Sequence, residues 1–175
     1  MCKGLDLPSE KTVVICKGGI HPRDVMQLLP SSTDVLSPEV YDSVRTVMLI
    51  VGTNALNVKQ PSKGIPLMDI VFDYEKLVYE LTKVFPNARI GLYNVLPRAF
   101  TTIETLRRIE IFNEMFCNHV AKQFPNVFWI KQYWIFIDEF GYLRQDLYGR
   151  DGIHLKRKGK SFMTRAILNF QEAYN

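Results

Sequence analysis

Cysteine is scarce in this chain. Cys2, Cys16 and Cys117 form neither an even set nor a C-x-x-C pair, which argues against a disulfide framework and against a zinc ribbon. Cys16 and Cys117 sit inside apolar patterns and read as buried thiols of a reducing compartment. Histidine is equally rare, and His21, His119 and His154 show no metal-ligand spacing, so no metal site is expected. No stretch approaches the roughly 20 consecutive apolar residues needed to span a bilayer. The segment from Met1 to Pro8 also lacks the apolar region of a secretion leader. Neither membrane insertion nor secretion is expected, and a cytoplasmic location follows. A glycine-rich phosphate loop is missing too, and no cofactor is expected.

What remains is an ordinary globular composition. The chain has 175 residues, 47% hydrophobic and 23% charged, which suits one well-buried core and predicts a single domain over residues 1–175. Short apolar runs alternate with amphipathic ones. Thr12 to Cys16, Thr46 to Val51, Arg89 to Val95 and Val127 to Ile130 read as strands, being brief, rich in β-branched or aromatic residues, and ended by turn residues or a loop. The near-continuous apolarity of the second predicts burial on both faces. Ile70, Tyr74, Leu77, Leu81 and Val84 recur at helical spacing until Pro86-Asn87. Thr101-Thr102-Ile103-Glu104 matches a capping box ahead of Leu106, Ile109, Phe112, Phe116 and Val120. A last stripe carries Phe162, Ala166, Ile167 and Phe170. Such alternation predicts an α/β fold, a three-layer α/β/α sandwich with a parallel sheet.

In such sheets ligands collect beyond the carboxyl ends of the strands, and the polar residues of interest fall there. Gly18-Gly19 follows the first strand, Gly52-Thr53-Asn54 the second and Pro97-Arg98 the third, while the loop after the fourth leads to Asp151 and His154. An Asp three residues before a His, at the mouth of a C-terminal helix, can hold the imidazole in one tautomer while the ring takes a proton from a hydroxyl. An Asn just past a strand can direct its amide N–H groups at a developing oxyanion. Each residue also has a plain structural reading: the glycines as a strand-ending turn, Asn54 as a turn-former or cap, and Asp151 as the cap of the last helix. His21 reads equally as a site-rim contact or a surface residue, and His119 as structural or exposed.

In this order, the blocks resemble those of the SGNH (GDSL-like) hydrolase superfamily over nearly the whole chain. Val51-Gly52-Thr53-Asn54, Leu96-Pro97-Arg98, Phe112-Asn113-Glu114, and Leu147 to Leu155 followed by Gly159 are most similar to the esterase-like domains of LINE-type retrotransposon proteins. The likeness to the SGNH-like domain of Oskar is looser. The resemblance implies a flavodoxin-like sandwich and acyl-ester hydrolysis of a small ester. It makes His154 the general base, Asp151 its orienting partner, and Gly18, Gly19 and Asn54 the oxyanion-hole residues. Family members also carry a Gly-Asp-Ser strand whose serine is the nucleophile. This sequence contains no Gly-Asp-Ser, and its start reads as the crossover that follows such a strand. The expectation is therefore a domain truncated at its N-terminus, inactive as given, with four parallel strands and a gap between Thr12–Cys16 and Thr46–Val51. Ala55 stands where many relatives carry Asp.

The formal charge of +4 says little by itself, but its distribution is uneven. Arg144, Arg150, Lys156, Arg157, Lys158, Lys160 and Arg165 crowd the D-x-x-H region, opposed only by Asp146 and Asp151. This is either a solvated helix face or a phosphate-binding patch, with Tyr133, Tyr142 and Tyr148 as stacking partners. The second functional reading is thus a non-catalytic module binding RNA on the same scaffold.

Overall fold

The computed structural model describes residues 21–31, 42–56 and 64–173. The expected strand Thr12–Cys16 and the pair Gly18-Gly19 lie outside them. Helix α1 (Pro22–Ser31) precedes strand β1 (Thr46–Leu49) and a one-turn helix α2 (Thr53–Leu56). There follow α3 (Leu67–Val84), β2 (Arg89–Tyr93), α4 (Ile103–Met115), β3 (Val127–Ile130) and α5 (Arg157–Glu172). The described sheet is parallel with order β1-β2-β3, Thr46 pairing with Arg89 and Ile90 with Val127.

Strand alternation sorts the side chains into two cores, one on each face of the sheet. Val47, Leu49, Ile90, Leu92, Val127 and Trp129 join a cluster with Ile70, Tyr74 and Leu77 of α3 and with Ile109 and Phe112 of α4. Met48, Tyr93, Phe128 and Ile130 point the other way, into a cluster with Met163, Ala166 and Phe170 of α5. Helices therefore cover both faces, which gives an α/β/α sandwich. The crossovers β1-α3-β2 and β2-α4-β3 step the same way and so place both helices on one side. At the centre of the first cluster, the Tyr74 ring lies 4.9 Å from that of Phe112 and 4.8 Å from that of Phe116. On the opposite face, a Cβ at Gly91 would lie 2.8 Å from the Phe170 ring, so only glycine lets α5 approach the sheet this closely.

Two sequence expectations shift. β2, rather than β1, is buried along its length, because β2 is central while β1 is an edge of the described sheet, buried only at Leu49. The cap of α4 is Thr102, whose hydroxyl accepts from Thr105 N–H at 3.3 Å, while Thr101 serves the preceding turn.

Buried amides then fix the loops at the carboxyl edge. Asn113 on α4 accepts from Val95 N–H at 3.1 Å and donates to Val95 C=O at 3.2 Å, satisfying the backbone just where β2 stops. Asn94 accepts from the N–H groups of Gln132 and Tyr133 at 2.6 and 3.2 Å, tying the loop after β3 to the loop after β2. Tyr148, fully buried, donates its hydroxyl to Pro97 C=O at 2.8 Å.

Candidate active site

Asp151 sits at the tip of a tight loop, not at the mouth of the last helix. Tyr148 and Leu155 form an antiparallel bridge, Gly149 N–H donates to His154 C=O at 2.7 Å, and Gly152 has a φ of 65°. α5 begins only at Arg157, with Lys156 as a cap residue that makes no side-chain bond. The helix-capping reading of Asp151 is therefore corrected: its carboxylate closes the loop on itself. Oδ1 accepts from the backbone N–H groups of Ile153 and His154, each at 3.0 Å, and Oδ2 meets His154 Nδ1 at 2.5 Å.

This hydrogen-bonding has an electrostatic consequence. The bond to the His154 ring, followed by the backbone N–H groups of His154 and Ile153, holds the Asp151 carboxyl well below the usual carboxylate range. A depressed folded value contributes stability above the unfolded carboxylate value of about 3.9, and that contribution is lost as pH falls through the folded value. Asp151→Asn, which retains an acceptor for the backbone, is expected to flatten the acid limb of stability below about pH 4. Urea unfolding at a series of pH values from neutral downwards checks this, and parallel acid limbs for the two proteins would contradict it. An ionised carboxylate only accepts, so the proton of this bond belongs to Nδ1 and the lone pair of the neutral ring to Nε2. Both side chains are open to solvent, 67% exposed for His154 and 48% for Asp151.

Asn54 occupies the second position of α2, half-buried, after a turn at Gly52 with φ of 113°. Its Oδ1 accepts from Arg98 Nη2. Because guanidinium nitrogens only donate, this contact assigns the amide oxygen to Arg98 and leaves the N–H donors of Asn54 for another partner. Ala55, next along the chain, is buried in the core, so that position serves packing here.

The loop Leu96–Phe100 links the two halves. Arg98 reaches Asn54, and the next residue donates from Ala99 N–H to Gly152 C=O at 2.8 Å, between Asp151 and His154. Asn54, Asp151 and His154 are thus gathered around one loop. Sequence reasoning places Pro97-Arg98 at this edge but gives Arg98 no part in holding Asn54, which only the folded contact shows. His21 donates its backbone N–H to Asp24 at the start of α1, and His119 is exposed in the π-helical turn Phe116–Val120.

The basic residues are placed unequally. Arg144 and Lys158 both turn to Asp146, at 3.4 and 3.2 Å. Arg150, Lys156 and Arg157 are exposed and Lys160 is half-buried. Tyr148 lies in the core and Tyr133 is partly buried with its hydroxyl 3.3 Å from Glu110, so of the three expected stacking residues Tyr142 is the exposed one. No described helix is long and apolar enough to cross a membrane.

No protein-family model matches the sequence, and no curated protein sequence matches it. Solved structures do. A Streptococcus pneumonia protein solved as a candidate platelet activating factor superposes with a TM-score of 0.68 at 19% identity, over 87% of this chain and 68% of its own. The OSK domain of Drosophila Oskar matches with a TM-score of 0.51 at 19% identity, over 70% of this chain and 59% of that one. The esterase domain of the ORF1 protein of the zebrafish ZfL2-1 retrotransposon matches with a TM-score of 0.51 at 20% identity, over 95% of this chain and 91% of its own. The chain has an SGNH-like fold. At these identities the likeness is one of fold, and the chemistry rests on the residues above.

Proposed function

We propose that this chain carries the acid-base and oxyanion side of an acyl-ester hydrolase site. The observation that carries the reading is the Asp151–His154 pair at 2.5 Å, with the second carboxylate oxygen holding the loop's own backbone. His154 Nε2 takes the proton of an attacking hydroxyl, Nδ1–H stays on Asp151, and the imidazolium that forms is stabilised by the carboxylate. Asn54, held by Arg98, donates its amide N–H to the tetrahedral oxyanion. The nucleophilic serine belongs to a Gly-Asp-Ser strand in the resembled family, and residues 1–175 contain no such block. The likeness in fold to an esterase domain, over 95% of this chain and 91% of that one, supports this reading.

The tautomer of His154 tests it. Nitrogen-15 NMR of the neutral ring is expected to show a protonated, pyrrole-type Nδ1 and a bare, pyridine-type Nε2. A ring protonated mainly at Nε2 could not act as base through that nitrogen and would overturn the assignment.

One further observation favours a second reading, a surface for single-stranded nucleic acid. Lys158 is paired with Asp146, but the amino end of α5 also places Lys156, Arg157 and Lys160 at the positive pole of a 16-residue helix with no acidic residue in its first turn. Cations there oppose the macrodipole, and an anion relieves them. An open groove of about 590 Å³ runs beside them, lined by Arg157, Lys160, Thr164 and Arg165 among others. Fluorescence anisotropy with a single-stranded oligoribonucleotide is expected to show salt-sensitive binding. The double variant Arg157→Glu, Lys160→Glu should reduce the log-log salt slope by about 1.4, from roughly 0.7 per lost phosphate contact. Absence of binding at low salt would remove this reading.

A further inference from the structure

Phe100 is the one non-glycine among the described residues with a positive φ, at 64°. A side chain in that region crowds its own backbone, and phenylalanine, unlike asparagine or glycine, has no local means of relieving it. Hydrogen bonds impose the turn. Thr101 N–H donates to Arg98 C=O at 3.2 Å, Arg98 N–H donates to Thr101 Oγ1 at 3.1 Å, and that hydroxyl donates back to Arg98 C=O at 2.5 Å. The ring is not repaid by burial, since Phe100 is 74% exposed. Its inner edge lies against the dyad loop: a Cβ added at Gly152 would be 3.0 Å from Phe100 Cδ2 and 3.1 Å from Ala99 Cβ. Exposed Ile153, next after Gly152, adds apolar surface between Asp151 and His154. The bonds of Arg98 and Thr101 account for the backbone of the turn, but neither burial nor a hydrogen bond accounts for an aromatic side chain on it, exposed beside a solvent-open His–Asp pair. Strain kept at such a place points to a ligand contact.

We propose that Phe100 is the platform for the acyl chain of the substrate, and that the site takes esters of medium-length apolar acids rather than acetyl esters. This rests on the ester-hydrolase reading above. Phe100 and Ile153 supply the exposed apolar surface here, and the buried Ala99 and Gly152 against the ring bring no charged side chain, which suits a hydrocarbon chain laid across the two.

The test uses carboxylate products as probes and requires no turnover. Sodium octanoate and sodium acetate are titrated into the 175-residue protein while the Gly152 amide and His154 ring signals are followed by NMR. Octanoate is expected to shift both signals saturably, with at least tenfold tighter binding than acetate. Phe100→Gly should raise the melting temperature by removing the strain and abolish the preference for octanoate, whereas Phe100→Leu should retain part of it. Equal affinity for the two anions in the native protein, or an unchanged octanoate preference in a folded Phe100→Gly variant, overturns the platform but leaves the hydrolase reading standing. If neither anion perturbs His154, both fall together.

Discussion

Gly52→Ala is expected to lower the stability of the fold by roughly 3 kcal/mol, from about 1–2 for forcing a side chain into a positive-φ position and about 1–3 for overfilling a packed core. The φ of 113° is foreign to alanine, and the new methyl would overlap the Tyr74 hydroxyl and come within 2.9 Å of Val95 Cγ2. Neither neighbour has room to retreat. Tyr74 donates to Val51 C=O, and its ring is packed between Phe112 and Phe116. Val95 is held at both backbone atoms by Asn113. Urea unfolding of the two proteins measures the difference, and a loss below about 1 kcal/mol would mean that the turn relaxes freely. The same substitution should disturb the candidate site, because Gly52 starts the turn that presents Asn54 and accepts the Leu56 N–H bond opening α2.

Much of this architecture was legible in the residues. The segments now seen as β1, β2, β3, α3, α4 and α5 were readable because the strands pack side chains on both faces of the sheet and so read as short apolar runs, while each helix buries one face and so carries a period of 3.6. That Asn54, Asp151 and His154 lie around the loop after β2 was readable because strand ends and the loops that follow them point to one edge of a parallel sheet. What was not legible depends on partners distant in sequence. The alternative reading of Asp151 as a helix cap suits its residue type, and only the loop geometry, with both oxygens engaged six residues before α5, removes it. Tyr148 looked available for stacking, yet its hydroxyl finds Pro97 and its ring joins the core. Arg98 gave no sign that it would reach Asn54, 44 positions earlier. Nothing in the residue type of Phe100 announces a left-handed conformation, since that comes from the bonds of Arg98 and Thr101 around it.

Hydrolysis of p-nitrophenyl butyrate, followed as kcat/KM, tests the central claim that Asp151, His154 and Asn54 form one half of an ester-hydrolase site. A base can act only on a hydroxyl within hydrogen-bond reach, roughly 2.6 to 3.2 Å. Among the described residues, Asp151 is the only side chain bonded to the His154 ring. The 175-residue protein is therefore expected to leave the ester at the buffer rate. Joined to a preceding strand that ends in Gly-Asp-Ser, it should acquire turnover. That turnover should fall about 10⁴-fold in His154→Ala and about 10²-fold in Asn54→Ala, the scale set by loss of a triad base and of one oxyanion donor. Turnover by the 175-residue protein that vanishes in His154→Ala would contradict the missing nucleophile. Turnover of the extended protein that survives His154→Ala would contradict the dyad itself.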